Sequence, residues 1–169
     1  QAKAEVTAKY AKKPKTTQKN AKYAAMVESV DDCVGRIMDA LEEHGIADRT
    51  MIIFTSDNGG LVGPTSNAPL RSGKGYAYEG GIRVPLIIKW PGVVKPGVTS
   101  AEPVTSVDYL PTIAEVTGLD LPKGRAIDGI SLAKHLSSQG KQSIERQAIY
   151  WHFPHYRHNP GPYSIIREG

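Results

Sequence analysis

The chain has 169 residues, 40% of them hydrophobic and 22% charged, which suits one ordinary globular domain. One cysteine excludes an internal disulfide framework, and no apolar run is long enough to span a bilayer. The net charge of +4 is concentrated in Lys9, Lys12, Lys13, Lys15, Lys19 and Lys22. That segment lacks base-stacking aromatics or a recognisable module, so it reads as a solvated basic stretch, and no nucleic-acid partner is expected.

In chain order, residues 1–13 predict an amphipathic helix with Val6 and Tyr10 one turn apart, ended by Pro14. A long helix follows from about Asn20 to His44. Tyr23, Met26, Val27, Val30, Val34, Ile37, Met38 and Leu41 form its apolar stripe, and Gly45 is its stop. His44 falls at the helix C-terminus, where a positive charge suits the dipole. Cys33 borders the stripe and reads as a buried small hydrophobe rather than a nucleophile.

A short turn, Ile46 to Arg49, leads into a strand over 50–55. A helix feeding a strand through so short a connection is an α/β unit. The strand ends in Thr55-Ser56-Asp57-Asn58-Gly59-Gly60. Two readings stand here: an Asp-Asn-Gly-Gly turn, or a pair of side-chain oxygens for a hard cation such as calcium. Residues 59–81 are glycine-rich and aperiodic, as functional or disordered loops are. Within them Lys74, between Gly73 and Gly75, has an unobstructed backbone and can reach a sulfate or phosphate directly.

Val84–Trp90 predicts a second strand, starting properly at Leu86 because of Pro85. Asp108 is expected to cap a helix running to Val116, with Pro111 in its first turn and Gly118 as its end. Ser131 is expected to cap a short helix ending near Ser138, with His135 on the surface. Strands over 147–153 and 163–167 flank a loop rich in Pro, His and Gly. His152, His155 and His158 there allow a transition-metal site, a pocket rim or plain surface roles, and the spacing is no recognised zinc pattern.

Ser56-Asp57-Asn58-Gly59, then Gly73-Lys74-Gly75, then Glu79-Gly80-Gly81-Ile82-Arg83-Val84-Pro85 form a joint pattern in order and spacing. It resembles the sulfatase family, a branch of the alkaline-phosphatase superfamily, from about Tyr23 to Tyr150. The resemblance implies an α/β fold, part of an alkaline-phosphatase-like α/β/α sandwich, with the start of a small antiparallel C-terminal subdomain. Residues 1–144 would be the second half of the catalytic domain and 145–169 the start of the small one. The implied activity is sulfuric ester hydrolysis with one calcium ion and a formylglycine. Asp57 and Asn58 would be calcium ligands, and Lys74 would contact the sulfate and assist the leaving group. His152 and His155 would shape the substrate pocket, and Glu79 and Arg83 would form a structural ion pair.

The departures from the pattern are informative. No Cys/Ser-x-Pro-x-Arg motif, the formylglycine precursor, occurs, since Cys33 is followed by Val34-Gly35-Arg36. The family's first calcium-binding Asp pair and its His-Thr-Pro type motif also have no counterpart. The expectation is a carboxyl-proximal piece of a longer protein, inactive alone and, with open sheet edges, either self-associating or marginally stable. Family habit places such enzymes in the periplasm or outside the cell. The substrate would be a sulfated glycan or aryl sulfate. The alternatives are a phosphate or phosphonate ester hydrolase, whose relatives often carry His where Asn58 stands, and a non-catalytic binding module.

Overall fold

A computed structural model describes residues 2–15, 17–155 and 163–168. Two units emerge from the pattern of contacts: Gln1–Ile88 with His152–Ser164, and Lys89–Trp151 with Ile165–Gly169.

In the first unit, helix α1 (Ala4–Ala11) packs on helix α2 (Ala21–Glu43). Lys9 Nζ reaches Glu28 Oε2 at 2.6 Å, and the Lys9 and Lys13 ammonium groups lie 5.3 and 4.8 Å from the Tyr10 ring centre. Asn20 starts α2 by accepting the Tyr23 N–H at 3.0 Å, and the helix ends at His44 before Gly45, whose φ of 63° is left-handed. The expected stripe is present, but only Ala25 of α2 is buried. Met26, Val27, Val30 and Ile37 are 50–58% exposed. Cys33 is exposed as well, contrary to expectation. Its burial required a cover over the second half of α2, and among the described residues α1 packs beside Glu28, earlier along the helix.

A 3₁₀ turn, Ala47–Arg49, leads to strand β1 (Ile52–Thr55), which pairs with β2 (Leu86–Lys89). β2 begins immediately after Pro85, as the missing N–H of that residue dictates. Thr55 Oγ1 donates to the Pro85 carbonyl at 3.0 Å and ties the carboxyl end of β1 to the entry of β2. The aperiodic loop between them contains a single helical turn, α3 (Glu79–Ile82).

In the second unit a 3₁₀ turn, Ser106–Asp108, runs into helix α4 (Tyr109–Thr117), which Gly118 ends at φ 70°. Asp108 does not cap α4 with its side chain. It belongs to a capping box one turn earlier, where Thr105 is the cap and the Thr105 N–H donates back to Asp108 Oδ2 at 2.9 Å. Asp108 Oδ1 accepts the Ile130 N–H at 2.9 Å and pairs with Arg146 Nη2 at 2.5 Å, so the carboxylate is fully buried yet satisfied. Thr112 Oγ1 donates to the Asp108 carbonyl at 2.6 Å and accepts the Leu132 N–H at 2.9 Å. Around this node lie buried Ala114, Leu132 and Ala133.

Ser131 Oγ accepts the Ala133 N–H at 3.2 Å at the start of helix α5 (Ala133–Ser137). His135 on α5 is buried, not on the surface as expected. Both ring nitrogens have partners, the Gln142 carbonyl at 2.6 Å and Ser100 Oγ at 2.8 Å, and that satisfaction is what permits burial.

Strands β3 (Ala148–Phe153) and β4 (Tyr163–Glu168) form a second, antiparallel sheet. Phe153 stacks on Tyr163 with centroids 5.3 Å apart, and His152 Nδ1 lies 2.7 Å from Ser164 Oγ, as neighbouring pairs on opposite faces require. His158 lies outside the described residues.

Candidate active site

The residues of interest stand on the loop leaving β1 and on the long loop before β2. Gly59 N–H donates to the Gly81 carbonyl at 2.9 Å, Lys74 N–H to Gly60 at 3.0 Å and Gly80 N–H to Arg71 at 2.8 Å. These bonds hold the backbones of 57–60, 71–74 and 80–81 against one another. The approach is so close that side chains are excluded. A Cβ on Gly59 would overlap the Gly80 carbonyl, and one on Gly81 would overlap the carbonyls of Tyr76 and Gly73. Glycine is used here for backbone contact rather than for flexibility.

Asn67 locks the same knot from the side. Its Oδ1 accepts the Gly60 N–H at 2.9 Å, and its Nδ2 donates to the carbonyls of Gly60 at 2.8 Å and Ser72 at 3.0 Å. Gln18 pins the adjoining turn, with Oε1 accepting from Thr65 Oγ1 at 2.7 Å and Nε2 donating to the Ser66 carbonyl at 3.0 Å. Sequence reasoning missed both residues. Asn67 looks like any turn asparagine, and Gln18 sits in a stretch that reads only as a polar loop.

Asp57 and Lys74 are exposed and Asn58 is half-buried. Ser56 Oγ donates to the Asn58 carbonyl at 2.8 Å, which shapes the exit from β1 and leaves the Asp57 and Asn58 side chains as the oxygen donors. A carboxylate beside an amide oxygen fits calcium in kind, but calcium takes about six to eight oxygens, so this pair is a partial set. No group of three or more His, Cys, Asp or Glu placed to hold a metal occurs among the described residues. Glu79 and Arg83 form the expected pair at 3.5 Å across one helical turn, and both side chains are well exposed. The Arg71 guanidinium lies over the Tyr78 ring, 3.7 Å from its centre. His152 contacts Ser164, and the His155 ring meets the edge of Phe153 at 5.0 Å. The partners found for these two histidines are thus on the β3–β4 hairpin rather than on the loops that carry Asp57, Asn58 and Lys74.

Known proteins resemble this chain over most of its length. The Sulfatase family profile matches residues 1–119. A sulfatase from Formosa agariphila is 46% identical over 164 residues, covering 90% of this chain and 29% of the relative. Among solved structures, Ps i-CgsB in complex with k-i-k-neocarrahexaose superposes with a TM-score of 0.85 at 33% identity, covering 99% of this chain and 36% of that one. BT4656 in complex with its substrate D-glucosamine-2-N,6-O-disulfate gives 0.74 at 33% identity, covering 88% and 29%. A phosphonate monoester hydrolase from Silicibacter pomeroyi gives 0.68 at 31% identity, covering 88% and 30%.

The fold is therefore the alkaline-phosphatase-like α/β fold shared by sulfatases and phosphonate monoester hydrolases. Within it, the chain belongs to the sulfatase family. It spans roughly a third of the length of these relatives.

Proposed function

We propose that the complete protein hydrolyses sulfuric esters and that this chain contributes Lys74, Asp57 and Asn58 to the site. One observation supports the reading best: the Lys74–Gly60 and Gly59–Gly81 main-chain bonds join the Asp57-Asn58 loop to the Lys74 loop through a rigid glycine knot. On this reading the Lys74 ammonium contacts a sulfuryl oxygen and stabilises negative charge on the departing ester oxygen. Asp57 and Asn58 would hold part of the shell of a calcium ion, which would neutralise the sulfuryl oxygens. A formylglycine would supply the nucleophile from a Cys/Ser-x-Pro-x-Arg segment, and this chain contains no such motif. The 169-residue chain alone therefore turns over no sulfate ester. His152 and His155 are proposed to line the pocket where the small domain begins, with 1–144 in the catalytic domain and 145–169 in the small one.

Sulfated glycans are the preferred substrate class over aryl sulfates, because BT4656 is described with a sulfated glucosamine as its substrate. A periplasmic or secreted site of action is part of the same proposal. No helix among the described residues is long and apolar enough to cross a membrane.

The test is kinetic, on the longer protein. Lys74→Ala should lower kcat/KM on nitrophenyl sulfate by about 10²–10³-fold. Asp57→Asn should raise the calcium concentration needed for activity. Unchanged kinetics in Lys74→Ala would refute the assignment. The second reading, phosphate or phosphonate ester hydrolysis, rests on the likeness to phosphonate monoester hydrolases. A higher kcat/KM on nitrophenyl phosphate would select it, and turnover of neither ester would leave a non-catalytic binding module.

A further inference from the structure

Arg71 stands three residues before Lys74 on the same knotted loop, and its side chain is exposed. Its position is fixed twice. The main chain is held by the Gly80 N–H on the Arg71 carbonyl at 2.8 Å and by Ser72 in the left-handed region at φ 63°. The side chain is held by the Tyr78 ring, 3.7 Å below the guanidinium carbon. Packing on an aromatic ring engages the face of a guanidinium and leaves its N–H donors free to meet an oxyanion. Arg71 forms no ion pair among the described residues, and the nearby Glu79 is already paired with Arg83. The result is a preorganised guanidinium with no ion-pair partner among the described residues, three positions before the lysine on the same loop, which loses little side-chain freedom when it binds.

We propose that Arg71 is a specificity-determining residue that binds a second oxyanion of the substrate, a sulfate or carboxylate substituent next to the ester sulfate held at Lys74. This rests on the assignment of Lys74 to the ester sulfate. The substrate class it selects is a polyanionic sugar rather than a singly charged ester.

The test is a nuclear magnetic resonance titration of the longer protein, isotope-labelled on arginine, lysine and glycine and carrying an unconverted formylglycine precursor so that no probe is consumed, following the Lys74 amide and the Arg71 Nε–H. The probes are glucosamine 6-sulfate, glucosamine-2-N,6-O-disulfate and a monosulfated hexuronic acid. The disulfate should bind about three- to tenfold more tightly than the monosulfate and shift the Arg71 Nε–H. Arg71→Ala should erase that preference, lowering disulfate affinity more than monosulfate affinity. Tyr78→Phe should keep the preference and Tyr78→Ala should weaken it, with the Gly35 amide shift in α2 unmoved as the control for folding. If the uronic acid gains the same advantage, Arg71 reads any oxyanion. If only the disulfate does, it reads sulfate. An Arg71 signal that responds to no probe, or a preference that survives Arg71→Ala, overturns the proposal alone. Monosulfate affinity unchanged in Lys74→Ala overturns the Lys74 assignment, and the pairing with it.

Discussion

The main-chain N–H of Lys74 donates to the carbonyl of Gly60 at 3.0 Å, so the lysine is held by its backbone and its ammonium is left uncommitted by that bond. The loop geometry therefore depends on glycines rather than on the lysine side chain. Gly59→Ala forces a methyl group onto the Gly80 carbonyl, and backbone cannot yield cheaply. The expected cost is at least about 1–3 kcal/mol in chemical denaturation. Gly35 is the matched control, since a Cβ there meets nothing within 4 Å and the residue is inside α2. Gly35→Ala should stabilise by about 0.5–1 kcal/mol.

Asp108 and Arg146 should behave as a buried pair. Asp108 is fully buried, Arg146 retains 11% side-chain exposure, and they meet at 2.5 Å. Asp108→Ala strands the guanidinium and two N–H donors, so a loss of about 3–5 kcal/mol is expected. A double-mutant cycle with Arg146→Met should return a coupling energy of about 0.5–3 kcal/mol. A coupling of zero would show that the pair is not formed in solution.

The hairpin should loosen in alkali. Burial raises the Tyr163 phenol above its ordinary value of 10.0, so the folded state favours the neutral ring. With the folded value raised, the stabilisation is complete below the ordinary value and is lost as pH rises through the folded one. Phenolate absorbance should report a late-titrating tyrosine that Tyr163→Phe removes. The same substitution should flatten the alkaline loss of stability.

Self-association is expected of the isolated chain. Large apolar side chains are exposed, including Ile87 at 61% and Ile37 at 58%. Among the described residues β1 and β2 also form a two-stranded sheet with open edges. Light scattering should show a mass that grows with concentration. A constant monomer mass would contradict this.

Local signals carried much of the fold. Asn20 and Gly45 marked the ends of α2, Pro85 set the start of β2 and Gly118 closed α4, because each acts through its own backbone or its immediate neighbours. Long-range partners decide elsewhere, and they leave no local signal. Asp108 resembles a helix cap until Ile130 and Arg146, 22 and 38 residues away, claim its carboxylate. His135 resembles a surface residue until Ser100 and Gln142 enclose its ring. Cys33 borders a periodic stripe, and periodicity says which face is apolar but not what covers it. At the candidate site, the motif residues were legible as a pattern, whereas the bracing by Asn67 and Gln18 was not, since ordinary polar residues leave no signature.

The exposed sulfur of Cys33 gives the chain a built-in reporter. It is the sole thiol in 169 residues, and it borders the apolar stripe of α2. A maleimide dye attached there needs no engineered cysteine, and its emission would change colour whenever another surface settles over that helix.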